Sequence, residues 1–345
     1  MASGMAPTKP LLFSLSASRG ERLFEGDPIV FLAGLGLMIA MMRPLFIITT
    51  QCVDYLLDLQ LIFASTLFML APHFCLQVGK SARSIEVQPT MKESSLLWKI
   101  AAVAEQSARA AGAVHRHAAG RPIEVVQYTH RDTKLKVDQD AEAVALAIIE
   151  KAFPEHSILS EEAGDAVLGS TEWNWIVDPL DGTVNFSRGL PHYCSSVGVR
   201  YGDEFVVGVI YDAVRDELFS AVAGEGAWLN GMPIRVSQTG HLRDAILTAG
   251  VLKNEAMIPA GAAWLQEVLM TARKVRMTGS AALDLAYVAC GRFDAYIDAG
   301  VQLWDLAAGV VILREAGGRI DMEEVDHGIR FSATNGLIEL PALPW

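Results

Sequence analysis

Two aspartates lie three residues apart in a polar stretch that directly follows the apolar run Trp175-Ile176-Val177. The stretch is Asp178-Pro179-Leu180-Asp181-Gly182-Thr183-Val184-Asn185-Phe186. Carboxylates this close repel one another unless a cation lies between them. Hard cations bind such oxygens together with backbone carbonyls such as that of Leu180. A bare pair at this spacing is more typical of an Asx turn. The whole string instead favours a cation site, followed by amides of Gly182 and Thr183 that could hold a phosphate.

Three further acidic stretches add to this one. They are Ser160-Glu161-Glu162, Asp132-Thr133-Lys134-Leu135-Lys136-Val137-Asp138 and Trp304-Asp305-Leu306-Ala307-Ala308-Gly309. Taken singly, Asp138 and Asp305 are typical of helix N-caps and Glu161 of a solvated strand end. Taken together with Asp178 and Asp181, they predict one acidic cluster that binds divalent cations.

The elements that must position these residues follow from the hydrophobic periodicity. Helical spacing predicts helices over 93–117, 138–152, 281–289 and 306–316. Short strands are predicted at 157–160 and 173–177, and an antiparallel meander over 195–201, 205–211 and 217–222, with a further hairpin turn at Asn230-Gly231. Helices, then a meander, then mixed segments indicate a layered α+β protein.

Composition narrows the class of protein. The chain has 345 residues, 51% of them apolar, and a net charge of −12, so a large core is feasible and no broad basic field exists to bind nucleic acid. Four cysteines without CxxC spacing argue against a disulfide framework or a thiolate zinc site and favour a reducing compartment. We therefore expect a cytoplasmic protein without a nucleic-acid partner.

Residues 1–90 differ from the rest of the chain. They carry six basic and six acidic side chains, so the whole net charge belongs to residues 91–345. Two apolar segments within 29–72 could form a membrane hairpin with both ends, and the rest of the chain, in the cytosol. The alternative is a mis-started translation, because Met91 opens an amphipathic sequence as an ordinary start would.

The acidic motifs resemble those of the inositol monophosphatase family. Asp178–Phe186 is similar to its first signature and Trp304–Gly318 to its second, with Glu161-Glu162 in the place of its Glu-Glu element. The resemblance covers about residues 91–340. It implies a layered α/β/α/β/α sandwich of the sugar-phosphatase type, which we expect to divide into an N-terminal α+β half (91–236) and a C-terminal α/β half (237–345), after the apolar extension 1–90.

The resemblance also implies the ligands of two Mg²⁺ ions. Glu161, Asp178 and the Leu180 carbonyl would hold the first. Asp178, Asp181 and Asp305 would hold the second, where lithium competes in the family. A third, weaker Mg²⁺ near Glu161 is common among family members.

Catalytic and substrate-binding roles follow from the same resemblance. Thr183 and Glu161 would orient or deprotonate the attacking water, and Asp138 would hydrogen-bond the Thr183 hydroxyl. The Gly182 and Thr183 amides would bind phosphate, with Asp305 also beside the substrate. The ring of the substrate would contact Gly279, Ser280, Ala281 and Asp298.

The expected activity is Mg²⁺-dependent hydrolysis of myo-inositol monophosphate or a similar polyol or sugar phosphate, carried out by a homodimer. Asn185 favours the inositol-phosphatase-like branch of the family. Asp298 replaces a glutamate that is common in the family and binds inositol hydroxyls, so the resemblance does not fix the identity of the substrate. Fructose 1,6-bisphosphate, histidinol phosphate and nucleotide 3′-phosphates are alternatives, as is a catalytically idle binding protein.

Overall fold

The computed structural model describes residues 91–128, 133–167, 169, 171–250, 258–326 and 328–343. The apolar extension 1–90, including the membrane hairpin expected within 29–72, lies outside the described residues, as does Asp132. In the described part of the chain, no helix is both long enough and apolar enough to cross a bilayer.

The described residues contain six α-helices, fifteen strands and one short 3-10 helix (Leu242–Asp244). The helices are α1 (Met91–Ala118), α2 (Lys136–Ala152), α3 (Thr183–Ser187), α4 (Ile258–Thr271), α5 (Ala281–Ala289) and α6 (Leu303–Glu315). The strands of the first half are β1 (Val125–Tyr128), β2 (Thr133–Leu135), β3 (Ser157–Ser160), β4 (Gly164–Val167), β5 (Trp173–Asp181), β6 (Cys194–Tyr201), β7 (Glu204–Asp212), β8 (Glu217–Val222), β9 (Gly226–Leu229) and β10 (Met232–Pro233). Those of the second half are β11 (Ile246–Ala249), β12 (Lys274–Arg276), β13 (Ala295–Val301), β14 (Arg319–Val325) and β15 (Gly328–Thr334).

Two sheets form the framework. An eight-stranded sheet has the order β10-β9-β8-β7-β6-β5-β3-β4, and a five-stranded sheet has the order β12-β11-β13-β15-β14. Each successive pair of strands from β5 to β10 is antiparallel, which confirms the predicted meander and the hairpin at Asn230-Gly231, whereas β5 pairs in parallel with β3. A separate antiparallel hairpin joins β1 to β2.

Helices cover both faces of the larger sheet, because its central strands are apolar on both sides. On β7, Val207 and Val209 face α1 and α2, whereas Ile210 faces α5 and α6. The smaller sheet packs on the other side of α5 and α6, and Trp264 of α4 packs against its outer face. The order of layers is therefore α/β/α/β/α, which confirms the expected sandwich.

Helix α6 packs unusually close to the larger sheet. Gly198 and Gly208 lie opposite each other on β6 and β7. A Cβ atom at Gly198 would come within 2.6 Å of the Ala307 Cβ, and one at Gly208 within 2.2 Å of the Ala308 carbonyl oxygen. These two glycines let the first turns of α6, with Asp305, approach the strand that carries Asp178.

We expect Gly208→Ala to lower the free energy of unfolding by about 1–3 kcal/mol, because the new methyl group overlaps the α6 backbone. Urea unfolding measures this change. Gly240→Ala is the matched control, since a Cβ at Gly240 meets no atom within 4 Å. Equal stability of the two variants would contradict the close packing of α6.

Candidate active site

Strand β5 brings the first motif into a cleft. The strand does not end at Val177, as the sequence predicted, but continues through Asp181, and its pairing with β6 shifts register between Asp178 and Asp181. This irregularity places both carboxylates on the cleft. The amide of Leu180 donates to Asp178 Oδ1 at 3.0 Å, so the turn within the strand fixes one aspartate.

Asp138 and Asp305 occupy equivalent positions in two helices. Each is the third residue of its helix rather than the N-cap that its sequence context alone suggested. The carboxylate of Asp138 accepts the Leu135 amide at 2.5 Å, and that of Asp305 accepts the Gln302 amide at 2.7 Å. Both aspartates are buried, and the positive end of each helix macrodipole favours their negative charge.

Asp181 is held by the start of α5. Its oxygens accept hydrogen bonds from the Ser280 hydroxyl at 2.5 Å and from the Ala281 and Ala282 amides at 3.2 and 2.8 Å. The Cys194 thiol lies 3.7 Å from the same carboxylate. Ser280 and Ala281, which were predicted to contact the substrate, therefore also orient Asp181, a predicted metal ligand.

Three carboxylates meet in the cleft. Asp178, Asp181 and Asp305 are buried, and each offers an oxygen that lies within 4.8 Å of the oxygens of the other two. An all-oxygen donor set of this kind suits a hard cation such as Mg²⁺. The structure thus brings together the residues predicted for the second metal site.

Glu161 joins this cluster from the end of β3. Its carboxyl lies close enough to that of Asp178 for each group to shift the pKa of the other. Burial raises the pKa of Glu161 to about 8, and repulsion from Asp305 contributes. Burial likewise raises the pKa of Asp178 well above its ordinary value, with Glu161, Asp181 and Asp305 adding repulsion. Without a metal ion, these carboxyl groups therefore retain protons near neutral pH. A bound divalent cation would offset the repulsion among the carboxylates and allow the protons to leave.

The cleft has a volume of about 390 Å³, and its wall contains the predicted catalytic and substrate-binding residues except Asp138, which lies behind Thr183. Thr183 Oγ1 lies 2.9 Å from the Leu180 carbonyl oxygen and 3.3 Å from Asp138 Oδ1. Asp298 accepts the Tyr296 hydroxyl at 2.6 Å and its neighbouring Ala299 amide at 2.7 Å. The predicted site residues that line the cleft are Glu161, Asp178, Leu180, Asp181, Gly182, Thr183, Gly279, Ser280, Ala281, Asp298 and Asp305.

Glu142 is a supporting residue that the sequence analysis missed. It lies one helical turn after Asp138 on α2 and accepts the Ser160 hydroxyl and the amides of Glu162 and Ala163. These bonds fix the turn that presents Glu161. Glu162 points instead to Lys134, with Oε1 3.0 Å from Nζ. The four-residue spacing from Asp138 was the available signal, because it places both carboxylates on one face of a helix.

The comparisons with known proteins agree with this geometry. The model of the inositol monophosphatase family matches residues 97–328. The chain belongs to the inositol monophosphatase family. An inositol monophosphatase from Anabaena superposes with a TM-score of 0.63 at 39% identity, covering 70% of this chain and 92% of that one. The IMPase of Thermotoga maritima superposes with a TM-score of 0.61 at 30% identity, over 71% of this chain and 93% of that one.

Among sequence relatives, the protein named Nus factor SuhB of Haemophilus influenzae is 41% identical over 221 residues, which is 64% of this chain and 82% of that protein. Membership of the family makes this chain a member of a group of metal-dependent phosphatases that act on small phosphorylated substrates.

His115 contacts the backbone between Asp178 and Asp181, a role that the sequence analysis did not predict. It is fully buried on α1, and its Nε2 lies 2.8 Å from the Pro179 carbonyl oxygen. A carbonyl can only accept, so Nε2 carries the proton of a neutral ring. Burial lowers the pKa of His115 to about 4.

This shift predicts a pH-dependent stability. The unfolded chain takes up a proton at His115 near its ordinary pKa of 6.5, whereas the folded protein does so only near 4, so this contribution to stability is complete above 6.5 and is lost as the pH falls toward 4. Between pH 7 and pH 5 the loss amounts to about 2 kcal/mol. His115→Gln, which keeps a donor but does not titrate, should remove it.

Urea unfolding at both pH values in the presence of a chelator measures the difference. The exposed His117 provides the control variant His117→Gln, which should retain the wild-type pH dependence. An unchanged slope in His115→Gln would show that this histidine is not held neutral beneath the turn.

Proposed function

We propose that this protein is a Mg²⁺-dependent phosphate monoesterase acting on myo-inositol monophosphate or a closely similar polyol phosphate, and that lithium inhibits it. The observation that carries the proposal is the convergence of three buried aspartates, Asp178, Asp181 and Asp305, with oxygens within 4.8 Å of one another. A dianionic phosphate ester would be repelled from such a cluster unless divalent cations were bound.

The ligand assignment follows the chemistry of the donors. Glu161, Asp178 and the Leu180 carbonyl would hold one Mg²⁺, and Asp178, Asp181 and Asp305 a second, with a third weaker ion near Glu161. When bound, these cations would neutralise the phosphate, activate water and stabilise the leaving alkoxide.

The remaining roles belong to the protein's own groups. Thr183, fixed by contacts with the Leu180 carbonyl and Asp138, would orient the attacking water together with the Glu161 carboxylate. The amides of Gly182 and Thr183 would hold phosphate oxygens where the chain turns into α3. Gly182 is required at this turn, because its φ is +91° and a Cβ would lie 2.9 Å from the His192 carbonyl oxygen.

The wall of the cleft supports a substrate with a single phosphate and a neutral, hydroxyl-bearing remainder. Among the described residues that line it, there is no lysine or arginine to bind a second phosphate, whereas Asp298 offers a carboxylate. Carboxylates accept hydrogen bonds from hydroxyl groups. This charge pattern disfavours fructose 1,6-bisphosphate and bisphosphorylated nucleotides, and it is compatible with inositol monophosphates.

A second candidate function comes from the names of the relatives. Proteins named Nus factor SuhB share 41–43% identity with this chain. A Nus-factor role of this kind, exerted through binding alone, would not require the acidic cluster. Activity and metal binding of variants in that cluster therefore separate the two candidates.

We expect Asp178→Asn and Asp305→Asn each to lower Mg²⁺-dependent phosphate release by at least about a hundredfold, because each removes a charged ligand. The measurement is phosphate release from inositol 1-phosphate with Mg²⁺ or with a chelator, together with circular dichroism to confirm folding. The control is Asp203→Asn, which removes one negative charge from the exposed turn between β6 and β7. Wild-type activity that persists in the chelator would contradict the proposal.

The assignment of Asp298 yields a separate expectation. Asp298→Asn should raise KM for inositol 1-phosphate about tenfold, through loss of a hydrogen bond to a charged group, and leave KM for phenyl phosphate unchanged. Steady-state kinetics on the two esters measures this. An equal rise in KM for both would show that Asp298 does not contact the hydroxyl-bearing part of the substrate.

A further inference from the structure

A buried aspartate outside the predicted site links two segments that border the cleft. Asp284 lies on α5 and is 2% exposed. Its Oδ2 accepts the Thr248 hydroxyl of β11 at 2.6 Å, and the Thr278 hydroxyl lies 2.6 Å from both of its oxygens. His192 also faces it, with Nε2 3.5 Å from Oδ1.

The Thr278 turn is fixed from its other side as well. Asn185 of α3 donates from Nδ2 to the Thr278 carbonyl oxygen and to the His192 carbonyl oxygen, each at 2.8 Å. The next residue, Gly279, has a φ of +87°, and a Cβ there would lie 3.1 Å from the Asn185 amide nitrogen. The turn is therefore held between a carboxylate on α5 and an amide on α3.

The same turn delivers the groups that hold Asp181. Ser280 follows Gly279 directly, and its hydroxyl donates to Asp181 Oδ2 at 2.5 Å. The amides of Ala281 and Ala282 donate to the two oxygens of the same carboxylate. Any shift of the Thr278–Ser280 segment would consequently rotate or release the Asp181 carboxylate.

We infer that Asp284 is a positioning residue that sets the orientation of Asp181 and thereby the cation affinity of the site formed by Asp178, Asp181 and Asp305. The inference rests on the proposed function only in taking that site to bind Mg²⁺. A carboxylate is required at position 284 because two hydroxyl donors converge on it, and an amide of the same shape replaces one acceptor oxygen by a donor.

Asp284 itself does not belong to the group of carboxylates that could share a cation. The oxygens that approach one another within 4.8 Å are those of Asp178, Asp181 and Asp305. Its effect must therefore pass through the turn and Asp181, which is how groups behind metal ligands usually act on affinity.

The test is Mg²⁺ titration of the metal-free full chain by calorimetry, combined with the Mg²⁺ dependence of phosphate release. We expect Asp284→Asn to raise the Mg²⁺ dissociation constant about tenfold. Excess Mg²⁺ should restore kcat to within about threefold of wild type, because the carboxylates themselves are retained.

A matched pair isolates the hydroxyl contact at the partly exposed Thr278. Thr278→Val removes the donor to Asp284 and should weaken Mg²⁺ binding about threefold, whereas Thr278→Ser keeps the hydroxyl and should bind as wild type does. Thr248→Val and Thr248→Ser form a second pair. If Asp284→Asn does not fold, these pairs decide the question.

Unchanged Mg²⁺ affinity in Asp284→Asn and Thr278→Val would overturn the inference. So would a loss of kcat that saturating Mg²⁺ does not restore, since it would place Asp284 in contact with the substrate. A wild type that binds Mg²⁺ but hydrolyses none of the phosphate esters would refute the proposed function, while the calorimetry would still decide the role of Asp284. A wild type that binds no Mg²⁺ would refute both.

Discussion

Repulsion among buried carboxylates is the constraint on which the rest of this structure depends. Asp178, Asp181 and Asp305 are buried together with the half-buried Glu161 beside them, so like charges repel strongly and the charged forms are poorly solvated. A fold that brings them together needs either retained protons or bound cations. Holding like charges together in this way lowers the stability of the fold, so such clusters are typical of functional sites. The same repulsion explains why the surrounding elements hold each carboxylate in place.

The surrounding elements supply this support through backbone amides. Asp138 and Asp305 accept amides at the starts of α2 and α6, and Asp181 accepts the first two amides of α5. Three helix N-termini therefore converge on the cleft, and their dipoles oppose part of the repulsion. The glycines of β6 and β7 that let α6 approach the sheet serve the same end, because they set the distance between Asp305 and Asp178.

Many elements of the fold could be predicted from the sequence, because they carry strong local patterns. The strand 157–160, the strand 217–222 and the helix 281–289 have the predicted bounds. The starts of α2 and α6 were placed too late, because the caps Leu135 and Gln302 are not typical N-cap residues. The five-stranded sheet was not resolved into strands, since parallel pairing such as that of β11 with β13 joins segments far apart in sequence.

In the candidate site, too, features with a local sequence pattern were predictable and contacts between distant segments were not. Its carboxylates belong to contiguous motifs, so the sequence predicted their convergence and the family. The groups that orient them were missed because they act across the fold. Asp284 acts through Thr278 on a carboxylate about a hundred residues earlier in the chain, and His115 meets Pro179 over a separation of 64 residues. No local pattern marks such pairs, since only tertiary packing makes them neighbours.

The most direct test of the central claim is anomalous diffraction from crystals of this protein soaked in Mn²⁺, a scattering substitute for Mg²⁺ that also prefers oxygen ligands. The account predicts two strong anomalous peaks that share Asp178, one towards Glu161 and one between Asp181 and Asp305. Crystals saturated with Mn²⁺ that show no peak among these carboxylates, or peaks only elsewhere on the protein, would contradict it.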